Sequence, residues 1–114
     1  MITLIRRWLW RLRSLFFLAP AATTLAAACF FIFLIQRAAD RTEFVYGYTF
    51  GQALVSCFGL NWPLLSHGFF WQPLTYMFLH ANVSHIFFNM FAVWMFGYLL
   101  ENVWGPKRFL TYYM

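Results

Sequence analysis

Two apolar stretches, separated by a longer region rich in helix breakers, organise this chain. They cover residues 16–36 and 83–101, and each is close to the ~20 residues that an α-helix needs to cross the hydrocarbon core of a bilayer. We predict transmembrane helices 1 and 2 there. Residues 102–108 then form a polar turn, and residues 109–114 begin a third apolar run that stops before it could span a bilayer. We expect an all-α membrane protein, a polytopic helical bundle, of which this sequence is a truncated part.

The segment before the first apolar stretch, residues 1–15, is basic and amphipathic. Ile5, Trp8 and Leu12 recur at helical spacing with arginines between them, a pattern typical of a helix on an anionic leaflet. A cleaved signal peptide is the alternative, since residues 26–29 resemble a lipoprotein cleavage site. Processed sites are normally followed by polar sequence. Here the apolar run continues to Ile35, which favours a retained helix.

Residues 37–82 combine helix breakers with aromatic side chains. The breakers are Gly47, Gly51, Gly59, Pro63, Gly68 and Pro73. They exclude one long helix, while the many Phe, Tyr and Trp residues exclude a hydrated linker. We expect an outward-facing, membrane-associated loop of short helices, with its aromatic rings at the headgroup level.

Composition and charge agree with a membrane protein. Of the 114 residues, 63% are hydrophobic and 10% are charged, whereas about a quarter of a typical soluble chain is charged. This excludes a soluble enzyme domain, a disordered tail and a disulfide scaffold. Cys29 and Cys57 are too few for a disulfide framework, so we expect two thiols.

The distribution of basic residues predicts the topology. The net charge is +5, with four arginines before the first apolar stretch and Lys107 and Arg108 after the second. By the positive-inside rule both of these regions face the cytoplasm. The prediction is a multi-pass protein of the cell membrane with a cytoplasmic N-terminus. Nucleic acid is not an expected partner.

Two polar residues within the second apolar stretch are candidates for chemistry. His85 and Asn89 are four residues apart and therefore share one helical face. Both side chains can donate N–H groups, and two converging donors can stabilise the oxyanion of an acyl-transfer reaction. The alternative is that they hydrogen-bond to a neighbouring helix and contribute only to packing.

The other histidines and the serines give weaker signals. His67 and His80 raise the question of zinc, but neither has a Cys, Asp or Glu nearby in sequence. We therefore predict no metal and no cofactor. Ser56, Ser66 and Ser84 lack any motif that would support a nucleophile.

Three segments, in order, resemble the rhomboid intramembrane serine proteases. They read WQPLTYMFLH over residues 71–80, HIFFNM over residues 85–90 and ENVWGPKRF over residues 101–109. The resemblance covers roughly residues 58–114. It implies a rhomboid-like helical fold and proteolysis within the membrane.

The resemblance also implies roles for individual residues near the predicted outer face. His85 and Asn89 match the family's His-x-x-x-Asn pair, which helps to form the oxyanion hole, and His80 matches a histidine of the surrounding hydrogen-bond network. Trp71 matches the Trp of a Trp-Arg motif in the first loop. Gln72 stands where that motif has Arg.

On the cytoplasmic side, the resemblance points to the turn after the second helix. Glu101, Gly105 and Arg108 match the family's polar turn between the second and third helices, in which the Glu ties down the cytoplasmic side.

The family's nucleophile and base lie on helices that these residues do not contain. In rhomboids the nucleophile is the Ser of a Gly-x-Ser-Gly motif on the fourth helix, and the base is a His on the sixth. The resemblance thus predicts the N-terminal part of a serine endopeptidase that cleaves transmembrane protein substrates in the lipid bilayer. A rhomboid-like pseudoprotease that binds membrane proteins without cleaving them is the alternative. The costly polar pair His85 and Asn89 favours the enzyme.

Overall fold

A computed structural model describes residues 4–7, 9 and 17–114 of the chain. Helix accounts for 76% of it. The structure divides into two compact units, one formed by residues 1–27 and 88–114 and the other by residues 28–87. Most of the predicted amphipathic segment, residues 1–15, lies outside the described residues.

Helix α1 spans Pro20–Ala39, later than the predicted 16–36. Proline suits the first turn of a helix because it lacks an N–H that would have no partner there, and its φ is already helical. At the other end Arg37 remains helical and forms an ion pair with Asp40 at 2.6 Å. The bounds differ because capping groups, and not the end of the apolar run, decide where a helix stops.

A small β-hairpin follows α1 and was not anticipated by the all-α prediction. Strand β1 covers Glu43–Val45 and pairs antiparallel with β2, Tyr48–Thr49. The turn residues Tyr46 and Gly47 have φ values of 46° and 81°, as a two-residue hairpin turn of the primed type requires. A positive φ at Tyr46 is uncommon for a residue that is not glycine. Of the Asn-Gly or Asp-Gly pair that usually marks such a turn, the sequence contains only the glycine.

Four short helical segments complete the region between the two long helices. They are α2 (Phe50–Phe58), α3 (Trp62–Ser66), α4 (Gln72–Thr75) and a 3₁₀ turn at Tyr76–Phe78. Thr49 and Gln52 form a reciprocal capping box at the start of α2. The side chain of Asn61 accepts from the N–H of Leu64 at the start of α3. Local capping therefore explains why α2 and α3 begin where they do.

Helix α5 spans Val83–Trp104 and α6 spans Pro106–Tyr113. The predicted helix end at residue 101 and the turn over 102–108 differ from this arrangement, in which Gly105 alone joins the two helices. Its φ of 81° is a conformation that glycine adopts without strain. The polar residues after Glu101 stay helical because polarity does not by itself end a helix, and the N–H of Gly105 still bonds to Glu101 O at 2.8 Å.

Helices α1 and α5 are long and apolar enough to cross a membrane, with mean hydropathies of 1.6 and 1.5. Large apolar side chains on α5 are exposed, including Val83, Phe87, Phe88, Trp94, Phe96, Leu99 and Val103. Such an apolar surface is unfavourable in water and suits lipid. These observations support a membrane protein with a helical fold.

Polar side chains are prominent among the buried residues. In the unit of residues 28–87, the largest fully buried side chains are His80, Gln72 and Cys29. In the other unit, Glu101 is 3% exposed among small residues such as Ala21 and Ala22. Burying polar groups is unfavourable unless they are hydrogen-bonded. The hydrogen-bond partners of these side chains therefore identify the backbone segments that they fix.

Candidate functional site

His80 lies just before α5 and is held by a glutamine from α1. The backbone N–H of His80 donates to Gln36 Oε1 at 3.1 Å, and Gln36 Nε2 donates to the backbone carbonyl of His80 at 3.5 Å. Both residues are buried, at 2% and 3% exposure. One side-chain amide thus satisfies both backbone groups of a residue that lies outside any helix.

The hydrogen bonds of His80 and His85 assign their ring protons. Nδ1 of His80 lies 3.2 Å from the carbonyl oxygen of Phe78, which can only accept, so this nitrogen carries a proton. Nδ1 of His85 instead accepts from the backbone N–H of Ala81 at 3.4 Å. A neutral His85 ring therefore has its proton on Nε2. The two rings meet edge to face, with centroids 5.2 Å apart.

The environment of His80 also favours the neutral form of its ring. Burial lowers the pKa of His80 below its ordinary value, because the charged ring would lose its hydration. The hydrogen bond to Phe78 acts in the opposite direction, and the neighbouring His85 lowers the pKa further.

His85 and Asn89 occupy successive turns of α5, as the spacing predicted. The side chain of Asn82 accepts from the N–H of His85 at 2.8 Å and caps the start of the helix. Both His85 and Asn89 are exposed, whereas the adjacent Ile86 is buried. Helical periodicity therefore gives α5 a polar pair on one face, with the Nε2–H of His85 available as a donor.

The carboxylate of Glu101 caps the start of α1. Its two oxygens accept from the N–H groups of Ala21 and Ala22, each at 2.8 Å. The first helical residue, Pro20, has no N–H, and the N–H of Thr23 bonds to Ala19 O at 3.1 Å. The donors of the first turn are thereby satisfied.

The other two residues of the predicted polar turn play different parts. Gly105 joins α5 to α6 through its left-handed backbone. Arg108 is exposed on α6.

Trp71 and Gln72 anchor α4 to the end of α2. Trp71 Nε1 donates to the carbonyl of Cys57 at 2.9 Å, and Gln72 Nε2 donates to that of Ser56 at 3.1 Å. Thr75 Oγ1 donates to Phe58 O at 2.7 Å. Side chains of α4 and of the residue just before it thus satisfy the carbonyls that the last turn of α2 leaves without helical partners.

Gln72 also reaches the start of α3. Its Oε1 accepts from the N–H of Asn61 at 3.1 Å, and its Nε2 makes a longer bond of 3.4 Å to Cys57 O. The side chain is 0% exposed. A single neutral amide therefore ties α2, α3 and α4 together.

The remaining candidates make local contacts. His67 Nδ1 donates to the carbonyl of Pro63 at 2.6 Å, and Ser66 donates to the same oxygen at 2.8 Å. Across residues 4–7, 9 and 17–114, no three His, Cys, Asp or Glu side chains come close enough to hold a metal ion. Cys29 is buried and Cys57 is exposed, and neither is in a disulfide.

Sequence reasoning missed the structural importance of both buried glutamines. The sequence pattern assigns no role to Gln36, and it marks Gln72 only as a departure from the rhomboid motif. One signal was present for Gln36, because a polar residue at the end of an apolar stretch is costly unless it is paired. Its partner, 44 residues away, could not be found from spacing.

Comparisons with known proteins agree with the resemblance. A family model described as the Rhomboid domain matches residues 67–114. Rhomboid protease GluP of Bacillus subtilis (strain 168) is 34% identical over 60% of this chain and 13% of its own length. Rhomboid-like protease 1 of Toxoplasma gondii is 40% identical over 49% of this chain and 20% of its own length.

The matches are confined to part of each protein. This chain spans a fifth or less of the length of these two relatives, and no solved structure matches it significantly. The matched region nevertheless contains the polar pair on α5, the buried His80 and the α5–α6 junction. The family model and the relatives together support the assignment of this chain to the rhomboid family.

Proposed function

We propose that this chain is the N-terminal part of a rhomboid-like intramembrane serine endopeptidase and supplies oxyanion-stabilising groups. Its substrates would be transmembrane proteins, cleaved within the lipid bilayer. Curated relatives that are named as rhomboid proteases support the class of activity.

The observation that carries the proposal is that the hydrogen bond of His85 assigns its ring proton to Nε2. The N–H of Ala81 occupies Nδ1, so that Nε2–H is the donor of a neutral ring. The amide of Asn89 follows one turn later on the same face of α5. A tetrahedral intermediate of acyl transfer carries its charge on one oxygen, and two convergent N–H donors are suited to that charge.

The proposal requires a serine nucleophile and a histidine base from other segments of the protein. The greater length of the relatives supports this requirement. Within the chain, His80 would support His85, and Trp71 and Gln72 would anchor the loop before α5. Glu101, Gly105 and Arg108 would form the polar turn that ties down the cytoplasmic side, at the other end of α5.

Substitutions at the pair test the proposal in the complete protein. We expect His85→Ala and Asn89→Ala each to lower kcat by roughly 10- to 1,000-fold, because a single oxyanion donor contributes about 3 kcal/mol. Substrate binding should change little. The measurement is the rate of cleavage of a reconstituted transmembrane substrate, per folded molecule.

Matched controls are available in the chain. Asn102→Ala removes an exposed asparagine from the same helix, and His67→Ala removes a histidine bonded to Pro63. Both should leave kcat close to that of the wild type. If instead the two site variants lose about 1 kcal/mol of stability and keep their kcat, the pair serves only helix packing. A complete protein that binds transmembrane substrates and cleaves none would be a pseudoprotease.

We also propose that α1 and α5 span the cell membrane, with the N-terminus in the cytoplasm and residues 40–82 at the outer face. Lys107 and Arg108 follow α5, and a cluster of arginines precedes α1. A reporter fused after Arg108 should be cytoplasmic, and one inserted near Glu43 should lie on the other side. Two reporters on the same side would contradict this topology.

A further inference from the structure

We propose that Gln36 is a positioning residue, which fixes the backbone at His80 and thereby keeps the Nε2 proton of His85 available as a donor. This inference rests on the proposed role of His85. It assigns a role in the site to a residue of α1.

The contact between Gln36 and His80 is specific to an amide side chain. The backbone N–H and C=O of His80 need an acceptor and a donor, respectively, and a planar amide presents both. Leu79 is extended, with a ψ of 139°, so no helical neighbour serves these groups. Buried backbone groups without partners are rare in native proteins, which makes Gln36 the element that holds this stretch in one conformation.

The residue that follows His80 makes a hydrogen bond to the ring of His85, so the backbone that Gln36 fixes also holds this ring. Ala81 is the next residue, and its N–H donates to His85 Nδ1 at 3.4 Å. Because this donor occupies Nδ1, the ring proton stays on Nε2. The rings of His80 and His85 are also in edge-to-face contact. The bonds from Gln36 to His80 and from Ala81 to His85 therefore connect α1 to the donor atom.

A substitution that keeps the volume of Gln36 but removes its hydrogen bonds separates positioning from packing. Gln36→Met has similar length and no amide, and Gln36→Glu in its ionised form keeps an acceptor for the His80 N–H but loses the donor to its carbonyl. In the complete protein we expect Gln36→Met to lower kcat by about 10- to 100-fold with little change in KM, the size of effect that a misplaced group produces. Gln36→Glu should change kcat in the same direction.

Nitrogen NMR of histidine-labelled protein gives a readout that is independent of catalysis. In the wild type the His85 ring should show one tautomer, protonated at Nε2. In Gln36→Met it should show a mixture of the two tautomers. The matched control is Gln52→Met, which removes an exposed amide from the capping box of α2 and should leave both kcat and the tautomer unchanged.

The outcomes distinguish this inference from the proposed function. A Gln36→Met protein with lowered stability, normal kcat per folded molecule and an unchanged His85 tautomer would show that Gln36 is only a packing residue. If Gln36→Met does not fold, the same criteria apply to Gln36→Glu. A tautomer that shifts while His85→Ala retains full kcat would support the positioning by Gln36 and overturn the oxyanion role.

Discussion

Each unit of the structure buries polar side chains against backbone, but the two units use different chemistry. In the unit of residues 1–27 and 88–114, the carboxylate of Glu101 binds two N–H groups at the start of α1. In the unit of residues 28–87, Gln36 and Gln72 bind mixtures of N–H and C=O groups. One unit uses a charge and the other uses neutral amides.

The backbone groups that each side chain meets explain the difference. The start of a helix presents N–H groups only and carries a partial positive charge, so a carboxylate satisfies both its hydrogen bonds and its electrostatics. The loop backbone around Gln72 presents one N–H and two carbonyls. A carboxylate could not donate to those carbonyls, and a buried charge there would be costly.

This comparison also explains the departure at residue 72. The resemblance to rhomboids places residue 72 where the family motif has Arg, and here its amide donates to the last turn of α2 and accepts from Asn61. Anchoring of this loop therefore does not require a positive charge in this chain. Trp71 and Thr75 supply the remaining donors.

The largest effect is expected at the charged contact. Glu101→Ala should lower the free energy of unfolding by about 4 kcal/mol, because two buried N–H groups lose their acceptor at ~1–3 kcal/mol each. Glu101→Gln retains one accepting oxygen and should cost about half as much. Denaturation in detergent micelles measures both.

Glu43→Ala is the matched control for Glu101, since Glu43 lies exposed in the hairpin. It should change the unfolding free energy by less than about 0.5 kcal/mol. Equal effects at Glu43 and Glu101 would show that the contact with α1 does not stabilise the fold.

A somewhat smaller effect is expected at the neutral contact. Gln72→Leu should cost about 3 kcal/mol, since it leaves the N–H of Asn61 and the carbonyl of Ser56 without this partner in a partly buried place. Gln72→Glu should cost at least as much, because the charge has no buried counterion in its hydrogen-bond set. The same denaturation experiment applies, with hydrogen exchange at Asn61 as a local readout.

For this pair of substitutions the control is Gln52→Leu, an exposed capping residue whose loss should cost about 1 kcal/mol or less. A Gln72→Glu protein as stable as the wild type would contradict the argument that this loop needs a neutral amide.

The smallest effect is a dependence of stability on pH from His80. Its pKa is lowered in the folded protein, so below the ordinary value of about 6.5 the unfolded chain binds a proton that the folded chain does not. Stability should be full above this pH and should fall as the pH decreases towards the folded pKa.

Unfolding of wild type and His80→Phe, measured between pH 7.5 and 5 in parallel, tests this origin. The variant should lose part of the pH dependence, whatever its absolute stability. An identical slope in the two proteins would assign the effect to other groups.

Much of the local structure could be predicted because its causes are local. The lengths of the apolar stretches indicated α1 and α5, the breakers between them indicated short helices, and the four-residue spacing placed His85 and Asn89 on one face. Helix ends were less predictable. Glu101 through Trp104 remain helical, and the hairpin at Tyr46 and Gly47 was missed, because backbone φ values and capping bonds set these features.

The sequence by itself thus determined the membrane class, the resemblance to rhomboids and the periodic placement of the polar pair. Only the tertiary structure decided what satisfies each buried polar group. Gln36 meets His80 across 44 residues and Glu101 meets Ala21 across 80. The physical reason is that composition and period act over one or two helical turns, whereas a hydrogen bond between distant residues depends on how the whole backbone folds.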